Sequence, residues 1–176
     1  KRINDLSYGI KLNRLVYERA IKNQNISLFS IRKSPMMNKL FYGKNYEAFK
    51  LYYETEEALG HYTDQINARD FLKMFSQETF ETSSYYPINI DEINSNTPYE
   101  EEISQSNICV EFMTPTRPLS SSMPNDPAIG ICVLGNINQG LVSIEELPRI
   151  TRMMVLLQTS LALRQNHPTP QANAFV

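Results

Sequence analysis

Apolar side chains recur at three- and four-residue intervals in four stretches of the chain, and each predicts a helix. Leu12, Leu15, Val16 and Ala20 follow the polar lead-in Asn4-Asp5-Leu6-Ser7, placing an amphipathic helix that runs to about Lys22, where Asn23-Gln24-Asn25 ends it. Phe49, Tyr52, Tyr53 and Glu56 lie on adjoining faces of a second helix that starts near Asn45, with Gly60 placed to stop it. Ala68, Phe71, Leu72 and Phe75 form a third, closing near Glu81, with Asp64 or Asn67 available as its cap. Ile150, Met153, Met154, Leu157 and Leu161 make the apolar face of the last. Ser143 and Glu146 have capping-box spacing, but Pro148 would then fall past the first turn and cost a hydrogen bond, so the regular helix begins nearer Leu147. His167-Pro168-Thr169-Pro170 ends it.

Elsewhere the pattern changes. Tyr85-Tyr86-Pro87-Ile88-Asn89-Ile90 is aromatic and β-branched and predicts a strand, followed by a polar loop over 91–97. Ile26-Ser27-Leu28-Phe29, leading into Ser34-Pro35, is read as a connection, since proline disfavours helix at the residue before it. From Asn107 the chain alternates through Ile108-Cys109-Val110-Glu111-Phe112-Met113, then Pro115 and Pro118 forbid a central ladder. A serine- and proline-containing loop over 119–127 precedes Ile129-Gly130-Ile131-Cys132-Val133-Leu134, which is read as a buried strand. The chain is thus mainly helical over 1–82, carries strands over 83–140 and ends in a helix and tail over 141–176. This is an α/β pattern without internal repeats or low-complexity tracts.

Composition narrows the function classes. At 176 residues and 41% hydrophobic, one domain with a sizeable core is expected. A formal charge of −2 leaves no basic surplus to hold a nucleic-acid backbone. The run Met153-Met154-Val155-Leu156-Leu157 is far short of the roughly 20 apolar residues of a membrane span. The first residues lack the apolar core of a secretory signal, and 2 cysteines cannot build a disulfide framework, so a cytoplasmic protein without membrane contact is expected.

The sharpest chemistry lies in Asn107-Ile108-Cys109-Val110-Glu111. In an extended segment alternate residues share a side, so Asn107, Cys109 and Glu111 would project together. A thiol can serve as nucleophile, redox partner or radical carrier, a neighbouring carboxylate can move a proton, and an amide can orient a hydroxyl. The plainer reading of Cys109 is a small buried hydrophobe, and Cys132, between Ile131 and Val133, invites that reading more strongly. Glu111 also suits a solvated edge. His61 and His167 lack partners at metal-ligand spacing and are read as surface residues. Gly130, Gly135 and Gly140 match no phosphate loop, and Glu100-Glu101-Glu102 reads as a solvated acidic turn.

These blocks resemble the large, catalytic subunit of ribonucleotide reductase, most similar to class I. Ser106-Asn107-Ile108-Cys109-Val110-Glu111 and Thr114-Pro115-Thr116-Arg117-Pro118-Leu119 resemble the family's SNLCxE and PT[KR]PL signatures in order and spacing. The stretch 129–136 with Cys132 resembles the strand bearing a redox-active cysteine. The stretch 86–94 resembles IYIQNVDxxN, and 5–29 resembles the family's DYGxxxNxLxYxR...ITLFS helix and turn. The likeness runs essentially end to end.

The resemblance implies part of a ten-stranded α/β barrel, incomplete in this chain, with Cys109 at the tip of a central finger loop. By the same resemblance Cys109 becomes the transient thiyl radical that takes the substrate's 3′ hydrogen. Glu111 is the base on the 3′ hydroxyl, Asn107 holds the substrate's hydroxyls, and Cys132 is one of two thiols that supply electrons as the 2′ hydroxyl leaves as water. The substrate is expected to be a ribonucleoside diphosphate. No cofactor is expected in this chain: a separate small subunit with a metal centre generates the radical, thioredoxin or glutaredoxin restores the thiols, and ATP and deoxynucleotide effectors act on other regions. Both cysteines being assigned, the second redox thiol must come from elsewhere, so remaining segments of the large subunit are expected as partners, as from a split gene. The competing readings are a non-catalytic interaction module of the same fold, and an unrelated dithiol protein that no CxxC spacing supports.

Overall fold

The structure, a computed structural model, describes residues 6–117 and 129–167. The chain divides into two compact units, Lys1–Thr114 and Pro115–Val176. The loop expected over 119–127 falls outside the described residues, as do the prolines of the C-terminal stop signal.

In the first unit the order is β1 (Tyr8–Leu12), α1 (Arg14–Ile21), β2 (Asn25–Phe29), α2 (Met36–Tyr42), α3 (Tyr46–Ala58), β3 (Tyr62–Asn67), α4 (Ala68–Thr82), β4 (Tyr85–Asn89) and α5 (Ile90–Asn96). β1 and β4 pair in parallel, with Gly9 opposite Tyr86 and Lys11 opposite Ile88. Parallel neighbours require a long crossover, which the intervening helices supply. β2 and β3 pair antiparallel, Ile26 opposite Ile66.

α1 is the centre of packing because its apolar residues serve two sides. Leu15 meets Phe49 and Tyr53 of α3, joined by Phe29, Met37, Leu40 and Phe41. Ala20 packs with Ile26 of β2 and Ala68 of α4, with Val16, Ile66, Phe71 and Leu72 around them. Polar groups tie the same elements: Arg19 grips the Glu57 carboxylate with two nitrogens at 2.7 and 2.6 Å, and the Ser27 hydroxyl donates to Glu57 at 2.5 Å. The Tyr53 hydroxyl donates to the Ser27 carbonyl at 3.0 Å and accepts from its N–H.

Three predicted helices are present with their signals. Asn45 caps α3 by accepting from the Ala48 N–H, and Gly60, at φ +71°, lets the chain leave that helix. Asn67, not Asp64, caps α4, accepting from the Arg69 and Asp70 N–H groups.

Several expectations are corrected. Leu12 closes a strand, and the first helix starts only at Arg14, because pairing with β4, distant in sequence, takes the residues whose spacing looked helical. The stretch read as a connection at Ile26–Phe29 is β2, buried through Ile26 and Ser27 and held by β3. The polar stretch read as a loop over 91–97 is helix α5, whose Asp91 and Asn94 are buried and hydrogen-bonded. α2 begins directly after Pro35, where a fixed φ of −65° suits a helix start.

The second unit holds a 3-10 turn, Gln139–Leu141, and α6 (Leu147–Arg164), which starts where Pro148 allows. Half of the capping box forms: the Glu146 N–H reaches Ser143 Oγ at 3.3 Å. The stretch 129–134 is not a strand. It has no strand partner among the described residues of its unit and is held to α6 by Gln158 donating to the Val133 carbonyl at 3.1 Å. Gly135 permits this closeness, since a Cβ there would lie 2.5 Å from Gln158 Nε2. The apolar face of α6 lines an open groove of about 590 Å³ with Ile137, Leu141 and Val142, and no α6 residue is buried. The described residues make two two-stranded sheets and no closed barrel.

Candidate functional site

The segment bearing Asn107, Cys109 and Glu111 is a turn rather than an extended strand. The Val110 N–H donates to the Asn107 carbonyl, and the Asn107 N–H to the Phe112 carbonyl, both at 3.2 Å. The side chain of Asn107 explains the choice. Its oxygen accepts from the Phe112 N–H at 3.1 Å, and its nitrogen donates to Glu111 Oε1 at 2.6 Å. Asparagine bonding its own local backbone competes with ladder pairing and wins where no strand lies alongside. Val110 takes φ +63°, a left-handed conformation that β-branched residues rarely adopt, and such backbone strain, of order 1–3 kcal/mol, clusters at functional sites.

The expectation that the three side chains share one face of a strand therefore gives way to a closed turn that joins Asn107 to Glu111 and carries Cys109 between them. Cys109 is exposed, which removes the buried-hydrophobe reading. Ile108 and Val110, flanking Cys109, line a cavity of about 250 Å³ whose opposite wall is one face of the β1–β4 pair, with Gly9, Lys11, Tyr86 and Ile88. Gly9 matters to that wall because a Cβ there would stand 3.0 Å from Ile88 Cδ1.

Chemically, the turn carries an exposed thiol two residues before a carboxylate. One Glu111 oxygen is engaged by Asn107, and the other remains to accept a proton. Asn107 has its oxygen and one N–H committed, so the amide cannot flip without losing both contacts.

Cys132 belongs to the second unit, where it is exposed in irregular chain, so the buried strand residue expected there is not found. His61 bonds the Glu56 carboxylate at 3.1 Å, His167 approaches the Ala162 carbonyl at 3.1 Å, and Glu100, Glu101 and Glu102 are exposed. Among the described residues no three His, Cys, Asp or Glu side chains are grouped to hold a metal, and no helix is long and apolar enough to cross a membrane.

Sequence reasoning did not find Lys11, whose Nζ reaches the Tyr42 hydroxyl at 3.0 Å at the cavity wall, nor Asp91 and Asn94. The three-residue spacing of Asp91 and Asn94 was the available signal, a shared helix face inside a stretch that looked like loop.

Family comparison decides the assignment. A model described as ribonucleotide reductase, barrel domain, matches residues 1–175. The chain belongs to that family. Among similar proteins, a ribonucleoside-diphosphate reductase subunit alpha of Enterobacteria phage T4 is 31% identical over 180 aligned positions, covering 97% of this chain and 23% of the relative. The ribonucleoside-diphosphate reductase 1 subunit alpha of Escherichia coli K12 is 31% identical over 124, covering 68% of this chain and 16% of the relative. The subunit alpha of Buchnera aphidicola subsp. Schizaphis graminum is 27% identical over 171, covering 95% and 22%. The chain thus spans less than a quarter of the length of these relatives.

Proposed function

We propose that this chain is the thiol-bearing part of a ribonucleoside-diphosphate reductase catalytic subunit, working by thiyl-radical chemistry when joined to the remaining segments of the subunit. The observation that carries this reading is the turn in which Asn107 holds Glu111 while Cys109 stays exposed, in a chain matched from end to end by the family's barrel domain.

The roles follow from the chemistry each side chain can offer. The Cys109 sulfur, as a radical, takes the 3′ hydrogen of the ribose. The free oxygen of Glu111 accepts the proton of the 3′ hydroxyl, and Asn107 fixes the direction in which that carboxylate points. The 2′ hydroxyl leaves as water, and two electrons pass to the sugar as Cys132 and a second thiol from outside this chain close a disulfide. The hydrogen then returns from Cys109 to the 3′ carbon. Radical generation belongs to a separate small subunit with a metal centre, and thiol reduction to thioredoxin or glutaredoxin.

The test is reconstitution of the full chain with the remaining segments and a small subunit, assayed with ribonucleoside diphosphates. Deoxynucleotide formation is expected, with loss to background for Cys109→Ala and a fall of about 10² or more for Glu111→Gln. An assembly that forms and yields no deoxynucleotide overturns the reading.

A further inference from the structure

We propose that Asn94 is a positioning residue for the Cys109 turn, acting through the chain segment that leads into it. This proposal rests on the reading of that turn as the reactive site.

Asn94 is 1% exposed, and its side chain makes three hydrogen bonds. Its nitrogen donates to the Ile90 carbonyl at 3.1 Å and the Ile103 carbonyl at 2.9 Å, and its oxygen accepts from the Ile103 N–H at 2.7 Å. The last two reproduce with one amide side chain the paired exchange that a neighbouring strand would give Ile103. Ile103 is itself 1% exposed, so both ends of this bridge are fixed. Two residues, Ser104 and Gln105, separate Ile103 from Ser106 and Asn107, the entry to the turn.

The anchor for this bridge is the cavity's own wall. α5 continues without a break from β4, which contributes Tyr86 and Ile88 to the cavity. One turn earlier, Asp91 accepts from the Arg14 N–H at 2.7 Å, tying the same helix to the first residue of α1, two positions past β1, which contributes Gly9 and Lys11. α5 therefore holds three parts in one frame: both strands of the wall through its junctions, and the approach to the turn through Asn94. An amide is required at 94, because an acid of the same shape would set an oxygen against two carbonyls.

The experiment follows amide exchange and the pH profile of iodoacetamide alkylation at Cys109 in the full chain, with Cys132 as reference in the same molecule. For the isosteric Asn94→Asp, exchange at Ile103, Asn107, Val110 and Phe112 is expected to quicken about tenfold or more. The Cys109 profile is expected to shift, while α3 amides and Cys132 stay unchanged. Asn94→Ala, which deletes the bonds without adding charge, is the second variant and should act alike. The proposal is overturned if 103–112 and Cys109 stay as in the parent chain, or if α3 loses protection equally in both variants, which would assign Asn94 to stability alone. These readouts need no turnover, so failure of the reductase reading is seen separately in the reconstitution assay.

Discussion

Glu57 shows how much of the first unit rests on single polar side chains. Burial pushes its carboxyl up, but the Arg19 guanidinium and the Ser27 hydroxyl pull it further down, leaving it below the ordinary glutamate value. Glu56 is lowered in the same direction by the Ser34 hydroxyl and His61. A carboxylate held below its unfolded value, about 4.3, contributes stability that is complete above that pH and lost as pH falls through the folded value. Urea midpoints are therefore expected to drop as pH falls from about 5 to 3, and less steeply in Glu57→Gln, which has no such proton to take up. At neutral pH, Arg19→Met leaves the Glu57 carboxylate half-buried with only Ser27 and should cost about 1.5 kcal/mol in denaturant unfolding.

Among the elements, legibility followed the range of the interactions that make them. α3, α4 and α6 were readable because their periodicity and caps are local: Asn45, Asn67 and Pro148 do in the structure what their positions predict. Asn67→Ala is accordingly expected to cost about 1 kcal/mol, read from denaturant unfolding, since the Arg69 and Asp70 N–H groups lose their acceptor. β1, β2 and β3 were hidden because their partners lie far off in sequence, and Leu12 sat in helical register with Leu15 by coincidence of spacing. α5 was hidden for another reason: its buried face is polar, so Asp91 and Asn94 mimic a loop to any reading that tracks hydrophobicity. At the candidate site the sequence offered residue types and not their geometry. Residue types named Asn107, Cys109 and Glu111, whereas the turn depends on an asparagine bonding the backbone N–H of Phe112, which alternation cannot reveal.

At the scale of the whole chain the two units differ in what holds them. The first has buried clusters around Leu15 and Ala20, whereas no described residue of the second is buried. Met153, Leu156, Leu157, Leu161 and Leu163 of α6 are all exposed. Propagation in water is only marginally favourable, so an 18-residue helix with no fully buried residue draws little stability from packing. Covering one such side chain is worth about 1.5–3 kcal/mol, enough that a single contact surface would decide whether α6 persists. In the isolated chain, amides of α6 are therefore expected to exchange about a hundredfold faster than those of α3, measured by hydrogen exchange with mass spectrometry. If the proposed function holds, adding the remaining segments of the subunit should slow exchange in α6 and leave α3 as it was, because α3 already owns its core through Phe49 and Tyr53. Equal protection of the two helices in the isolated chain would mean that α6 needs no cover, and the expectation of a completing partner would lose its physical ground.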